Sequence, residues 1–219
     1  MSKAKKLWYL VSVAMLCGLI LIWVFFVRGE TLDSAGLRVI GCIKSSNANC
    51  LMRYVTEQET KALSLDARKL DRFLRLYVNP RMGSMIPVDG PVIEWMTGQR
   101  SIIARQRYRD PNGNWGDLAI DVHDSDNGPK VPSLIYQIVN CCVISARGAD
   151  EHGPRGLEKI RFQARILSGD LSLLRNSGLD GLVMLDQDDG QPIKYSWDEF
   201  LQRANTRLKS AENRTLGAS

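Results

Sequence analysis

Histidine is scarce in this chain, with only His123 and His152 among 219 residues. No Cys-x-x-Cys pair occurs, and neither histidine stands near a cysteine at ligand spacing, which argues against zinc. No Gly-x-Ser-x-Gly elbow and no glycine-rich phosphate loop occur, so no motif seats a serine nucleophile or a nucleotide. Asp186-Gln187-Asp188-Asp189-Gly190 falls short of a calcium loop. Its glycine comes one position early, and no glutamate follows at the twelfth position. No cofactor and no metal are expected.

Long linkers and internal repeats are missing as well, so the simplest count is one domain. A surplus of one charge sign is also lacking. The formal net charge is +5, but Lys3, Lys5 and Lys6 supply three of those charges. From Arg28 onward there are 26 basic and 24 acidic residues, and such a balance gives no basis for a nucleic-acid partner. One local asymmetry remains: 53–109 carries eleven basic and six acidic residues, and 110–126 carries five acidic and no basic ones. Solvated faces account for it.

Charge is wholly absent from 7–27, LWYLVSVAMLCGLILIWVFFV. As a helix this run is about 31 Å long, close to the roughly 30 Å hydrocarbon core of a bilayer. Three lysines precede it, while Arg28, Glu30 and Asp33 follow, which favours a cytoplasmic N-terminus and an exported C-terminal domain. Trp8, Tyr9, Trp23, Phe25 and Phe26 sit where interfacial aromatics belong. A cleaved signal peptide would have a shorter core and small residues after it. Here the run ends in Phe-Phe-Val-Arg. The expected organisation is a cytoplasmic stub (1–6), a transmembrane signal anchor (7–27), a tether (28–36), an exported domain (37–209) and a flexible tail (210–219). The anchor flanks are Lys3, Lys5, Lys6 and Arg28. The localisation this gives is single-pass in an inner membrane with the domain in the periplasm, although a eukaryotic type II protein would share the pattern.

In the exported part, Leu37, Val39 and Ile43 alternate with Arg38 and Lys44, which predicts a strand or a short docking segment. Thr56 and Glu59 have capping-box spacing. Leu63, Ala67, Leu70, Leu74 and Tyr77 then predict a helix that ends at Asn79-Pro80. Residues 83–100 look like loop. A hairpin is predicted from alternation over 103–109 and 117–123 around Asp110-Pro111-Asn112-Gly113. Residues 133–146 are apolar without a decisive period and fit either helix or strand. Ile160 to Ile166 alternates as a strand. Leu182–Leu185 and Ile193–Tyr195 flank a second hairpin turn at Asp188-Asp189-Gly190. Ser196 and Glu199 cap a last helix with a stripe of Trp197, Phe200, Leu201, Ala204 and Leu208. The fold class is α+β: an N-terminal transmembrane helix followed by one domain with a mainly antiparallel sheet and flanking helices.

Two groups carry candidate chemistry. Cys42, Cys50, Cys141 and Cys142 lie in a part expected to meet an oxidising compartment. Four cysteines allow three pairings, of which Cys42–Cys50 is favoured because it closes a short polar loop. Asp121, His123, Asp124 and Asp126 cluster at a strand end, and alternation puts Asp121 and His123 on one face. Turns after strands also collect aspartate for backbone reasons.

Two functions fit. The first is a membrane-anchored periplasmic protein-interaction module. It would be either a component of an envelope or secretion assembly or an immunity-type inhibitor of a periplasmic toxin. Its partners would be the lipid bilayer and another envelope protein. The alternative is a membrane-anchored envelope hydrolase using His123 with Asp121 or Asp124. The lack of any motif with a mechanism favours the module.

Overall fold

The computed structural model describes Met15 and residues 30–109, 111, 115–142, 169–185 and 191–216. Contacts divide the chain into two units, Met1–Thr31 and Leu32–Ser219. The predicted span at 7–27, its flanks Lys3, Lys5, Lys6 and Arg28, and the predicted strand at 160–166 lie outside the described residues, Met15 excepted. Among the described residues no helix is long and apolar enough to cross a membrane.

The second unit is α+β, with an antiparallel sheet and flanking helices. Its first element corrects the sequence reading. Leu32–Lys44 is a helix, α1, and not a strand from Leu37. It begins inside the stretch read as a tether. Ala35, Gly36, Val39, Ile40 and Ile43 are buried at helical spacing, and this five-residue face outweighs the shorter alternation. Leu37, central to the strand pattern, stays exposed. Gly36 lets α1 sit close on the sheet, since a Cβ there would meet Ile102 Cδ1 at 2.7 Å and Ala104 Cβ at 2.9 Å.

Two short helices follow. The Asn47 side chain caps α2 (Ala48–Met52) by accepting from Cys50 N at 3.0 Å. The predicted Cys42–Cys50 disulfide is formed and ties α2 to α1, with Cα atoms 6.0 Å apart. Thr56 caps α3 (Glu57–Leu63) by accepting from Glu59 N at 3.2 Å.

The helix expected over 63–77 is interrupted. Ser64 takes the left-handed conformation (φ 46°) and ends α3, and Asp66 then caps α4 (Ala67–Phe73). Nor does Asn79-Pro80 stop the helix. The chain passes through a π-helical turn at Leu74–Val78, with Asn79 N bonded to Leu74 O, into α5 (Asn79–Met82). Pro80 falls in the first turn of that segment, where its missing N–H needs no partner.

The region expected to be loop over 83–100 contains two short strands, β1 (Ile86–Pro87) and β2 (Val92–Trp95). Both pair with β3 (Ser101–Arg109), whose other edge pairs with β4 (Trp115–His123). Pro87 and Asp89-Gly90-Pro91 divide the edge into pieces too short to show a period. The β3–β4 hairpin forms as predicted, with Ile103 opposite Asp121 and Ser101 opposite His123. Ile102, Ala104, Ile120 and Val122 face α1 in the core, and Asp121 and His123 share the opposite face.

The ambiguous apolar run becomes α6 (Leu134–Cys142). Residues 169–176 are helical and form α7. The second predicted hairpin forms from β5 (Gly181–Leu185) and β6 (Pro192–Ser196). At Gly181 a Cβ would lie 1.9 Å from the Tyr195 carbonyl oxygen, so only glycine fits. The final helix, α8 (Trp197–Leu216), continues past residue 210, where a tail was expected. Its capping box is complete. Ser196 N donates to Glu199 Oε2 at 2.7 Å, and Glu199 N donates to Ser196 Oγ at 3.3 Å.

Candidate functional site

A cleft of about 450 Å³ opens where the end of β4, the start of α6, the β5–β6 hairpin and α8 meet. Asp121, His123, Ser133, Gln137, Tyr195 and Arg203 give it polar groups, and Pro132, Met184, Leu185 and Ile193 give it an apolar floor.

Strand alternation puts Asp121 and His123 side by side, and His123 Nε2 lies 2.8 Å from Asp121 Oδ2. This hydrogen bond holds the His123 pKa above its ordinary value, against partial burial, which opposes the charged form. Backbone bonds to Lys130 in both directions fix the histidine's main chain. Asp124 belongs elsewhere: its carboxylate pairs with Arg100 and is not part of the cleft lining. Of the predicted histidine–aspartate cluster, the fold brings together one pair. Among the described residues no group of three or more His, Cys, Asp or Glu side chains is placed to hold a metal.

Four lining residues escaped sequence reasoning. Ser133 is 5% exposed, adopts φ 56°, and its buried hydroxyl has no hydrogen-bond partner among the described residues. Its place just before an apolar run is a helix-start signal, but the uncertain period of that run hid it. The Gln137 side chain locks α6 to β4, accepting from Asp121 N at 2.7 Å and donating to Pro132 O at 2.7 Å. Arg203 donates to the Tyr195 hydroxyl at 3.0 Å, with its guanidinium 5.3 Å from the centre of that ring. No local pattern in the sequence joins Arg203 and Tyr195 to His123.

A second feature lies on the main sheet. Ile86, Val88, Val92, Trp95 and Met96 are all exposed within one eleven-residue stretch. Trp95 is 61% exposed and Val92 54%. They follow the edge formed by β1 and β2, and among the described residues no strand pairs with the outer side of β2. The buried Gln106 side chain donates to Asp89 O and anchors the break between the two strands.

No family model, curated protein or solved structure matches the chain.

Proposed function

We propose that the protein is a membrane-anchored interaction module of the cell envelope, held in an inner membrane by 7–27 with its domain in the periplasm. In this proposal β2 receives an extended segment of a partner protein. The observation that carries it is the concentration of exposed apolar side chains on an unpaired sheet edge. Monomeric domains rarely expose such a cluster without a use for it, and strand addition combines main-chain bonds with side-chain pockets. Pro87 and Pro91 support the same conclusion, since breaks in an edge limit indiscriminate pairing and leave one short segment for a specific partner. An envelope assembly and an arriving toxin are both partners of this kind.

A photoreactive residue at Val92, in full-length protein in intact cells, is expected to crosslink to one envelope protein. The same residue at Gln202, exposed on α8, is not. Trp95→Glu is expected to remove the complex without unfolding the domain. Equal crosslinking from both positions, or none from Val92 in a monomeric protein, would sink the proposal.

The alternative, an envelope hydrolase, is favoured by the His123–Asp121 pair lining the cleft. His123→Ala would then abolish function and leave Val92 crosslinking unchanged.

A further inference from the structure

β2 uses one set of its main-chain groups to pair with β3 and keeps the other set free. Met96 N donates to Ser101 O at 3.2 Å, and the register sets Glu94 opposite Ile103 and Val92 opposite Arg105. Antiparallel bonds alternate along a strand, so Val92 and Glu94 turn their N–H and C=O groups toward β3, and Ile93 and Trp95 turn theirs outward. Among the described residues nothing bonds to these four outward groups. Pro91, the next outward position, has no N–H and closes the site at that end.

The side chains divide in the same way. Ile93 and Trp95 lie on the face that α1 packs on, with Ala104 and Ile102 opposite them. Trp95 remains largely exposed there, and a strand added beside β2 would cover it. Glu94 lies on the other face and is half-exposed. Its Oε2 takes Arg105 Nη2 at 3.2 Å, and no described residue takes Oε1. Arg105 stands on β3, behind Glu94 as seen from the free edge, and is shared with Asp117 at 3.6 Å, which Arg107 also reaches at 3.5 Å. The charge nearest to an added strand is therefore the Glu94 carboxylate.

A second copy of the chain fits this edge poorly. Symmetric antiparallel pairing with Ile93 opposite Trp95 sets Glu94 directly against the Glu94 of the other copy, and like charges so placed repel. Pairing Ile93 with its own copy sets Pro91, without a donor, opposite Trp95. Pairing Trp95 with its own copy runs Ile93 onto Thr97, inside the turn closed by Gln99 N and Met96 O at 3.2 Å.

We infer that β2 selects an antiparallel segment of another protein with an apolar–basic–apolar pattern, its lysine or arginine opposite Glu94 and its apolar residues opposite Ile93 and Trp95. The position opposite Glu94 is a non-hydrogen-bonded pair, where side chains approach closest and opposite charges attract. This specificity rests on the reading of β2 as the docking edge.

Fluorescence anisotropy of dye-labelled peptides with the full-length protein in detergent tests it. The probes carry Val-Lys-Val or Val-Glu-Val between threonine and serine flanks, and a third has both valines of Val-Lys-Val N-methylated. The Val-Lys-Val peptide is expected to bind with a Kd below about 1 mM. Val-Glu-Val binds about fivefold weaker or worse, and N-methylation abolishes binding because it removes the donors to Ile93 and Trp95. Glu94→Lys keeps the melting temperature and reverses the preference, so that Val-Glu-Val becomes the tighter ligand. Equal binding of the lysine and glutamate peptides, binding that survives N-methylation, no saturable binding of Val-Lys-Val, or a Val92 crosslink between two copies of this chain would each overturn the inference. If Val92 crosslinks to an envelope protein in cells while the peptides show no preference, the specificity alone falls. If Val92 crosslinks to nothing, the docking reading falls with it.

Discussion

The Glu59 carboxylate closes the N-terminus of α6. It accepts from Leu134 N at 2.8 Å and from Ile135 N at 3.0 Å, joining α3 to a helix more than seventy residues away. The side chain is fully buried. Burial raises its pKa from 4.5 to about 7, and the two backbone bonds oppose that rise only in part. Between those values the folded state holds a proton that the unfolded chain has released, so stability falls as pH rises through this window. The contribution is complete below 4.5 and lost above about 7, and it amounts to at most about 3 kcal/mol. Urea unfolding from pH 4.5 to 8 is expected to show this slope in the wild type. Glu59→Gln flattens it. Glu59→Ala leaves buried N–H groups without a partner and costs about 2–4 kcal/mol below pH 4.5, and less as pH rises and the wild type itself loses stability. A Gln variant with the wild-type slope would contradict the assignment.

The Cys42–Cys50 bond closes a loop with a sequence separation of 8 residues. Loop-closure entropy gives it about 2.5 kcal/mol. Reduction, or replacement of both cysteines by serine, is expected to lower the urea midpoint accordingly and leave the unfolding cooperative. Cys42 is buried against the core, so Cys42→Ser alone should cost more than Cys50→Ser alone. No loss on reduction would show that the loop is held by the Asn47 cap and packing alone.

Where local signals dominate, the sequence is readable. Both hairpins, the Cys42–Cys50 pair, the Thr56 and Ser196 caps, and the side-by-side placing of Asp121 and His123 follow from period two, cap spacing and turn residues. Misreadings came where two periods coexist, as in α1, whose buried face was masked by Leu37, or where an edge strand has only two to four residues, as in β1 and β2. The π-helical turn before Pro80 is a tertiary adjustment that keeps Tyr77 and Val78 buried, and no propensity records it. Glu59 was recognised as half of a capping box. Its own carboxylate instead turns inward to a distant helix, a contact of high sequence separation with no local trace. The cleft escaped for the same reason: it is assembled from five elements, β4, α6, β5, β6 and α8, that are far apart in the sequence.

His123 offers a direct probe of that cleft. The hydrogen bond to Asp121 raises its pKa above 6.5. Asp121→Asn removes the charge and leaves only a weaker neutral amide acceptor, so NMR titration should find the imidazole pKa lowered in the variant. In the wild type the pair's contribution to stability is complete below 6.5 and fades as pH rises through the folded pKa. Asp124→Asn should leave the His123 titration close to the wild type, because Asp124 is engaged with Arg100. A larger effect from Asp124 than from Asp121 would refute the pairing.

The anchor proposal has its own test. If 7–27 spans the membrane, the full chain resists extraction by alkaline carbonate. Arginine near the centre of the run, as in Leu16→Arg with Leu19→Arg, costs about 3 kcal/mol per residue for insertion and should release the protein. With Lys3, Lys5 and Lys6 retained on the cytoplasmic side, protease added to spheroplasts should digest the C-terminal domain and spare the stub. Reversing the charges, with Lys3, Lys5 and Lys6 changed to Glu and Glu30 and Asp33 to Lys, should shift a share of the molecules to the opposite topology. Mature protein whose N-terminus begins beyond Val27 would identify a cleaved signal peptide instead. The domain would then be free of the bilayer, and its partner would no longer have to approach within the reach of a short tether.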